Sequence, residues 1–209
     1  MPRPSNTDER RAQITAALLK VMARRGYDGA AIADVAKAAR LTPGLVHYHF
    51  KNKQEILLAA LDDLVARHDQ RLEARLSEIG DDPAAALAGF IDFHLGLGAD
   101  ADPEALACWI LLGGEAVRDG KVRTAMATAL EGMVSRLARI IEEGVKTRAF
   151  ICDAVDAAAS ALMATIQGYF MLAGTARTII PRGSAATSTR KMAEGLLRPG
   201  RPLPQAVPR

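Results

Sequence analysis

The sequence predicts an all-α protein, and three observations carry that prediction. Alanine dominates the composition and β-branched runs are scarce, which favours helix over strand. Apolar residues recur at helical spacing in segment after segment, while the strict alternation of a half-buried strand occurs nowhere. Gly, Pro and Asp punctuate the chain at 26, 80–83, 100–103, 119–120 and 181–183, where such helices must begin and end. About nine helices follow from this reading.

The first is expected over 8–25. Ile14, Leu18, Val21 and Met22 share one face, and Gly26 closes the helix as a C-cap. A short Ala-rich helix over 32–39 then puts Ile32, Val35, Ala36 and Ala39 on one side. Arg40, Leu41 and Thr42 make a tight turn into the most informative stretch, LTPGLVHYHFKNKQEILL at 41–58. Thr42 is a good N-cap, because its hydroxyl can accept from a free backbone N–H at the helix start. Pro43 takes the first helical position, where its missing N–H costs nothing. The helix runs to about Phe50 and breaks at Lys51 and Asn52. A helix of two turns does not stand alone in water, so something must hold it. Its surface aromatics, His47, Tyr48 and His49, are odd for a mere connector. Two short helices joined by so tight a turn make a helix-turn-helix, with the second helix presented to DNA.

Beyond Lys53 a long fourth helix is expected to about 78, with Leu57, Leu61, Leu64, Val65 and Leu72 on one side. Asp82 and Pro83 cap and open the fifth, which reaches about 98 and aligns Leu87, Phe90, Ile91 and His94. The sixth covers 104–118 around Trp109. The seventh, over 121–147, carries a broad stripe of Leu130, Met133, Val134, Leu137, Ile140, Ile141 and Val145. The last two are expected over 153–178 and 184–197. The former has a side of small residues, Ala157, Ala158, Ala161, Ala164 and Gly168, that permits close helix approach. The tail at 199–209 is Pro-rich and aperiodic and is expected to be disordered.

Residues from about 10 to 58 resemble the DNA-binding domain of the TetR family of bacterial transcriptional regulators. The matching positions are Gly26 and Tyr27, Ile32, Val35, Ala36 and Ala39, then Leu41, Thr42, Gly44, Tyr48, Phe50, Lys53, Ile56 and Leu57. Looser similarity around Trp109 and Ile110 and through Glu115 to Asp119 is to the branch of choline-responsive betaine-pathway repressors. Four positions make three departures from the pattern. Arg40 stands where the turn usually has Gly, Ala30 and Ala31 replace the usual Thr or Ser, and His47 opens the aromatic run where Tyr is commoner.

The resemblance implies a helix-turn-helix domain at 1–52 and a helical effector-binding and dimerisation domain at 53–198. It also implies a homodimer paired through helices 153–178 and 184–197, which would set two recognition helices about 34 Å apart. Ordinary packing within one subunit is the alternative for those two helices. The expected function is a ligand-responsive repressor on a palindromic operator. An activator, or a regulator without effector, is the alternative.

Charge placement agrees. Residues 1–56 hold ten Lys/Arg against five Asp/Glu, whereas the remainder holds 17 against 19, a basic head on a mildly acidic body. Metalloprotease, nucleophile-elbow, P-loop and dinucleotide-binding motifs are missing, and the four histidines make no metal set, so no enzyme, metal or cofactor is expected. No apolar run approaches the roughly 18 residues of a membrane span, and the N-terminus has no apolar signal core. Cys108 and Cys152, two thiols among apolar residues, fit the cytoplasm.

On the recognition helix, Pro43, Gly44, Leu45 and His47 fall where base-edge contacts are made, Gly44 allowing close approach and Leu45 suiting a thymine methyl. The family resemblance assigns Thr42, Tyr48 and Lys53 to phosphate. Polar residues stranded on apolar faces, His68, His94 and Gln167, with Phe90, Trp109, Met133 and Met163 as walls, are the candidate effector pocket. Each is also explained by ordinary core packing.

Overall fold

The computed structural model describes residues 6–97 and 101–204. The helices are α1 Asn6–Arg25, α2 Ile32–Ala38, α3 Pro43–His49, α4 Lys53–Ser77 and α5 Pro83–Leu95. They continue as α6 Pro103–Arg118, α7 Gly120–Lys146, α8 Val155–Thr175 and α9 Ser184–Leu197, with one 3-10 turn at Arg177–Ile179. No strand occurs among the described residues.

Local chemistry explains most of the boundaries. Gly26 ends α1 at φ 70°, its N–H donating to Met22 O at 2.8 Å. Thr42 caps α3 by accepting from Leu45 N at 3.2 Å, and Asp82 caps α5 by accepting from Ala84 N at 3.0 Å. The start of α4 is doubly tied. Asn52 Oδ1 accepts from Glu55 N at 2.9 Å while the Glu55 carboxylate accepts from Lys51 N at 2.8 Å, a variant of the capping box. Ala31 precedes α2 with no side-chain cap, as the missing hydroxyl led one to expect.

The described residues form two compact units. The first comprises 6–68 and 103–128, and the second 69–97, 101–102 and 129–204. The division is one of contacts, not of chain order. The sequence expectation placed a boundary at 52/53, whereas the first unit also takes in α6 and the beginnings of α4 and α7.

In the first unit, α1, α2 and α3 close over Ile14, Leu18, Met22, Val35, Val46 and Phe50. Ile56, Leu57 and Leu61 of α4 join the same core, as do Leu112, Val122 and Met126. Arg40 occupies the turn between α2 and α3 at φ 55°. A non-glycine residue in that left-handed region costs on the order of 1 kcal/mol.

The second unit is built on α5, α8, α9 and the later part of α7. Its interior holds Leu87, Phe90, Ile91, Leu137, Ile141, Leu162, Ile166 and Leu197, all 1% exposed or less. An ion pair between Asp92 of α5 and Arg190 of α9 lies inside it, their side chains 14% and 9% exposed. Burial pushes the Asp92 carboxyl above the usual carboxylate range, and the Arg190 guanidinium offsets this only in part. Phe150 folds back over Gly144, its N–H donating to Gly144 O at 2.9 Å, and a Cβ on Gly144 would overlap the Phe150 ring. Gly144→Ala is therefore expected to destabilise the protein by about 1–3 kcal/mol through forced repacking. Urea denaturation reads this directly, and an unchanged midpoint would contradict it.

Three expectations need correction. Ala158 was grouped with the small-residue side of α8, but it is 6% exposed and faces the unit's own interior. The tail expected to be disordered is held in part. Leu203 is 5% exposed, its N–H donates to Glu194 at 2.7 Å, and Arg201 pairs with Asp82 at 2.8 Å. The rest of that tail, 205–209, lies outside the described residues. Finally, α8 does reach the length and apolarity of a membrane span, with mean hydropathy 1.2 over 18 residues, because its alanines and scattered Leu, Met and Ile add up. Only 28% of that window is buried within the chain.

Candidate nucleic-acid interface

The chain's best-defined surface feature is α3 and the turn that leads into it. A helix of seven residues needs outside support. One anchor is internal: Val46 is fully buried and Phe50, just past the helix end, is 1% exposed. The other is Arg11 of α1, whose Nη1 donates to His49 O at 2.6 Å while its guanidinium lies 4.0 Å from the Phe50 ring centroid. Gln13, two residues further along α1, holds the turn that precedes α3 by donating to Ala39 O at 2.6 Å. Thus α3 is clamped from behind at both ends, and its other side is open.

On that open side the structure exposes Thr42, Pro43, Gly44 and His47, with Leu45 half-buried. Tyr48 is 80% exposed and so takes no part in the core, and its ring stands edge-on to His49 at 5.1 Å. Five of the seven residues assigned to DNA therefore share one accessible face with Leu45 at its margin. Space is open around Gly44, so close approach of another surface meets no obstacle there.

Lys53 is different. Its Nζ donates to Tyr27 O at 2.7 Å and lies 4.2 Å from the Tyr27 ring centroid. Burial, together with the carboxylates of Asp119, Glu115 and Asp28, holds the Tyr27 hydroxyl above its ordinary pKa. One of the three donors of the Lys53 ammonium is therefore already engaged. Next to it, Gln54 hydrogen-bonds Asp119, which also accepts from Val122 N and Lys121 N. These bonds, the one from Gln54 foremost, hold the Asp119 carboxyl below its usual range. The start of α4 is in this way tied to the turn between α6 and α7. Arg11 carries no mark of this role in the sequence, and Tyr27 enters there only as a matching position of the family resemblance, since each acts on a residue 26 or more positions away.

The residues expected to line an effector pocket divide between the units. In the second, Phe90, Met133 and Met163 are buried, and Phe90 packs against His94 at 4.4 Å between ring centroids. His94 Nδ1 lies 2.8 Å from Phe90 O, and Phe170 is 6.2 Å from the His94 ring. Gln167 Nε2 contacts Met163 Sδ at 3.7 Å. His68 and Trp109 belong to the first unit, both half-buried, with Trp109 packed against that unit's core. Of the two thiols, Cys108 is buried and Cys152 half-buried.

Comparison with known proteins accords with this geometry. The family described as bacterial regulatory proteins, tetR family, matches residues 14–60. The C-terminal family of BetI-type transcriptional repressors matches residues 83–198, more than half of the chain. The HTH-type transcriptional regulator TtgR of Pseudomonas putida is 38% identical over 79 residues, 38% of each chain. BetI of Rhizobium meliloti is 26% identical over 132 residues, 59% of this chain and 60% of its own. The aligned stretch thus spans less than two thirds of either relative. A crystal structure from Saccharomonospora viridis in complex with choline is 26% identical, with a TM-score of 0.75 over 90% of this chain and 94% of its own. A clamped recognition helix on a basic head, joined to a body of BetI type, places this chain in the tetR family of bacterial regulatory proteins, as a DNA-binding transcriptional regulator and not an enzyme.

Proposed function

We propose that the protein is a homodimeric repressor that binds a palindromic operator in the cytoplasm and is released from it by a small-molecule effector. The observation that carries this is the open face of α3, held rigid by Arg11 and by Phe50 and presenting Gly44, His47 and Tyr48 together. Base-edge contacts fall to Pro43, Gly44, Leu45 and His47, and phosphate contacts to Thr42, Tyr48 and Lys53.

Dimerisation through α8 and α9 is supported by what α8 leaves uncovered. Ala157, Ala161, Ala164, Gly168 and Met171 form one exposed stripe at helical spacing, and Met192 and Leu196 of α9 are also exposed. A helix this apolar with so little of it buried in its own chain is best explained by a second copy. The effector reading is supported by the BetI-type match and by the choline held in the Saccharomonospora viridis structure. Its proposed contacts in the second unit are Phe90, His94, Met133, Met163 and Gln167. An effector of this kind acts only by binding the form released from DNA more tightly than the bound form.

Fluorescence anisotropy on duplex DNA flanking the protein's own gene, across a salt series, tests the reading. Tight binding with a steep salt slope is expected, and weak, sequence-blind binding would contradict it. Two variants separate the contact types. Lys53→Ala should weaken binding alike on all sequences and lower the salt slope by about one. An unchanged slope would mean Lys53 only braces Tyr27. His47→Ala should instead change the preferred sequence in a binding-site selection, and an unaltered preference would remove His47 from the reading set.

A further inference from the structure

We infer that Arg40 is a phosphate-anchoring residue that fixes the recognition helix on duplex DNA. This rests on the DNA-binding reading above and adds to it Arg40, a residue that departs from the family's pattern.

The basic residues near the interface sort into committed and uncommitted groups. Arg11 is held by His49 O and the Phe50 ring, Arg25 by Asp34 at 2.8 Å, and Lys53 by Tyr27. Between residues 26 and 56 the other basic side chains are Lys37, Arg40 and Lys51. All three are exposed, and none has a side-chain partner among the described residues. Arg40 is singled out by its backbone. It adopts φ 55°, a conformation glycine takes without strain, and no side chain or carbonyl among the described residues uses its guanidinium in return. Its position supplies the use. Arg40 precedes Leu41 and the cap Thr42, so it stands at the entry of α3, where the segment leading into a recognition helix meets the sugar-phosphate backbone. A planar guanidinium with paired donors suits a phosphate better than an ammonium does.

The competing explanation is that a cation after α2 merely complements that helix's C-terminal dipole. The two differ in sign. A dipole role predicts that Arg40→Gly loses stability and leaves DNA binding alone. A phosphate role predicts that Arg40→Gly relieves the backbone and weakens binding.

The test uses the full chain and a fluorescein-labelled, mixed-sequence duplex of about 30 base pairs, long enough for two half-sites one turn apart. Anisotropy titrations of wild type, Arg40→Gly and Arg40→Lys run from about 50 to 200 mM salt, alongside thermal melts. For Arg40→Gly, an equal or higher melting temperature is expected. Its salt slope should be shallower by about 0.9 per engaged protomer. Each lost contact then makes the affinity deficit about 3.5-fold larger at the low-salt end than at the high-salt end. Arg40→Lys should keep most of the slope. Wild-type slope and affinity in Arg40→Gly would overturn the inference. So would a drop in melting temperature shared by both variants with slopes unchanged. If wild type itself fails to bind the duplex at low salt, the DNA reading falls and takes this inference with it; if wild type binds and Arg40→Gly matches it, only the inference falls.

Discussion

Asp92→Ala is expected to destabilise the second unit by about 3–5 kcal/mol, among the largest effects of any single substitution in this chain. The loss comes from what remains. Arg190 keeps its charge with its side chain only 9% exposed and no carboxylate beside it. Arg75, which also acts on Asp92, would keep Glu78 at 3.5 Å, but its buried Nε has no hydrogen-bond partner among the described residues. Because the pair joins α5 to α9, the damage should reach the proposed dimer surface as well as the fold. Urea unfolding gives the size of the effect, and a double substitution gives its cause. Asp92→Leu with Arg190→Met removes both charges and should recover most of the loss, since an apolar pair of similar size is often as stable as a buried ion pair. A double variant as unstable as Asp92→Ala would show that packing around α9, and not the stranded charge, governs the site.

Phe50→Ala should cost about 3–5 kcal/mol and abolish DNA binding without touching any proposed DNA contact. Phe50 is 1% exposed, ends the recognition helix, and lies beneath the Arg11 guanidinium. Removing the ring opens a cavity in the small core shared by α1, α2 and α3, and it frees Arg11 from the surface that positions it against His49 O. With seven residues, α3 has too few internal hydrogen bonds to persist unaided. Loss of the head's thermal transition together with loss of anisotropy signal is the expected result. Retained DNA affinity in a destabilised variant would show that Arg11 and Val46 suffice to hold the helix.

What could be read from sequence was what neighbouring residues decide. Thr42 with Pro43, Asp82 with Pro83, and Gly26 mark helix ends by chemistry that acts within one turn, and the structure puts helix ends there. The aromatic run at 47–49 reads as surface from its oddness in a mere connector, and the burial of Val46 and Phe50 on the other side of the helix is why His47 and Tyr48 are exposed. Long-range ties left no such trace. Arg11 meets His49 across 38 positions and Arg190 meets Asp92 across 98, and nothing in either neighbourhood announces the partner. Ala158 and Ala157 are alike as residues, so only the packed unit shows that one faces in and the other out. Leu203 was lost to the same limit: a single leucine in a Pro-rich tail has no periodicity, yet it finds a buried place beside α9. The proposed effector contacts suffer most, since they depend on how separate helices converge.

If two copies of α3 read one two-fold-symmetric DNA site, selection from a random-sequence duplex pool will recover that symmetry. The expected product is an inverted repeat whose half-site centres lie about 34 Å, or a multiple of one helical turn, apart, bound by an even number of protomers. Enrichment of a single unrepeated site bound by one protomer, or no enrichment at all, would contradict it.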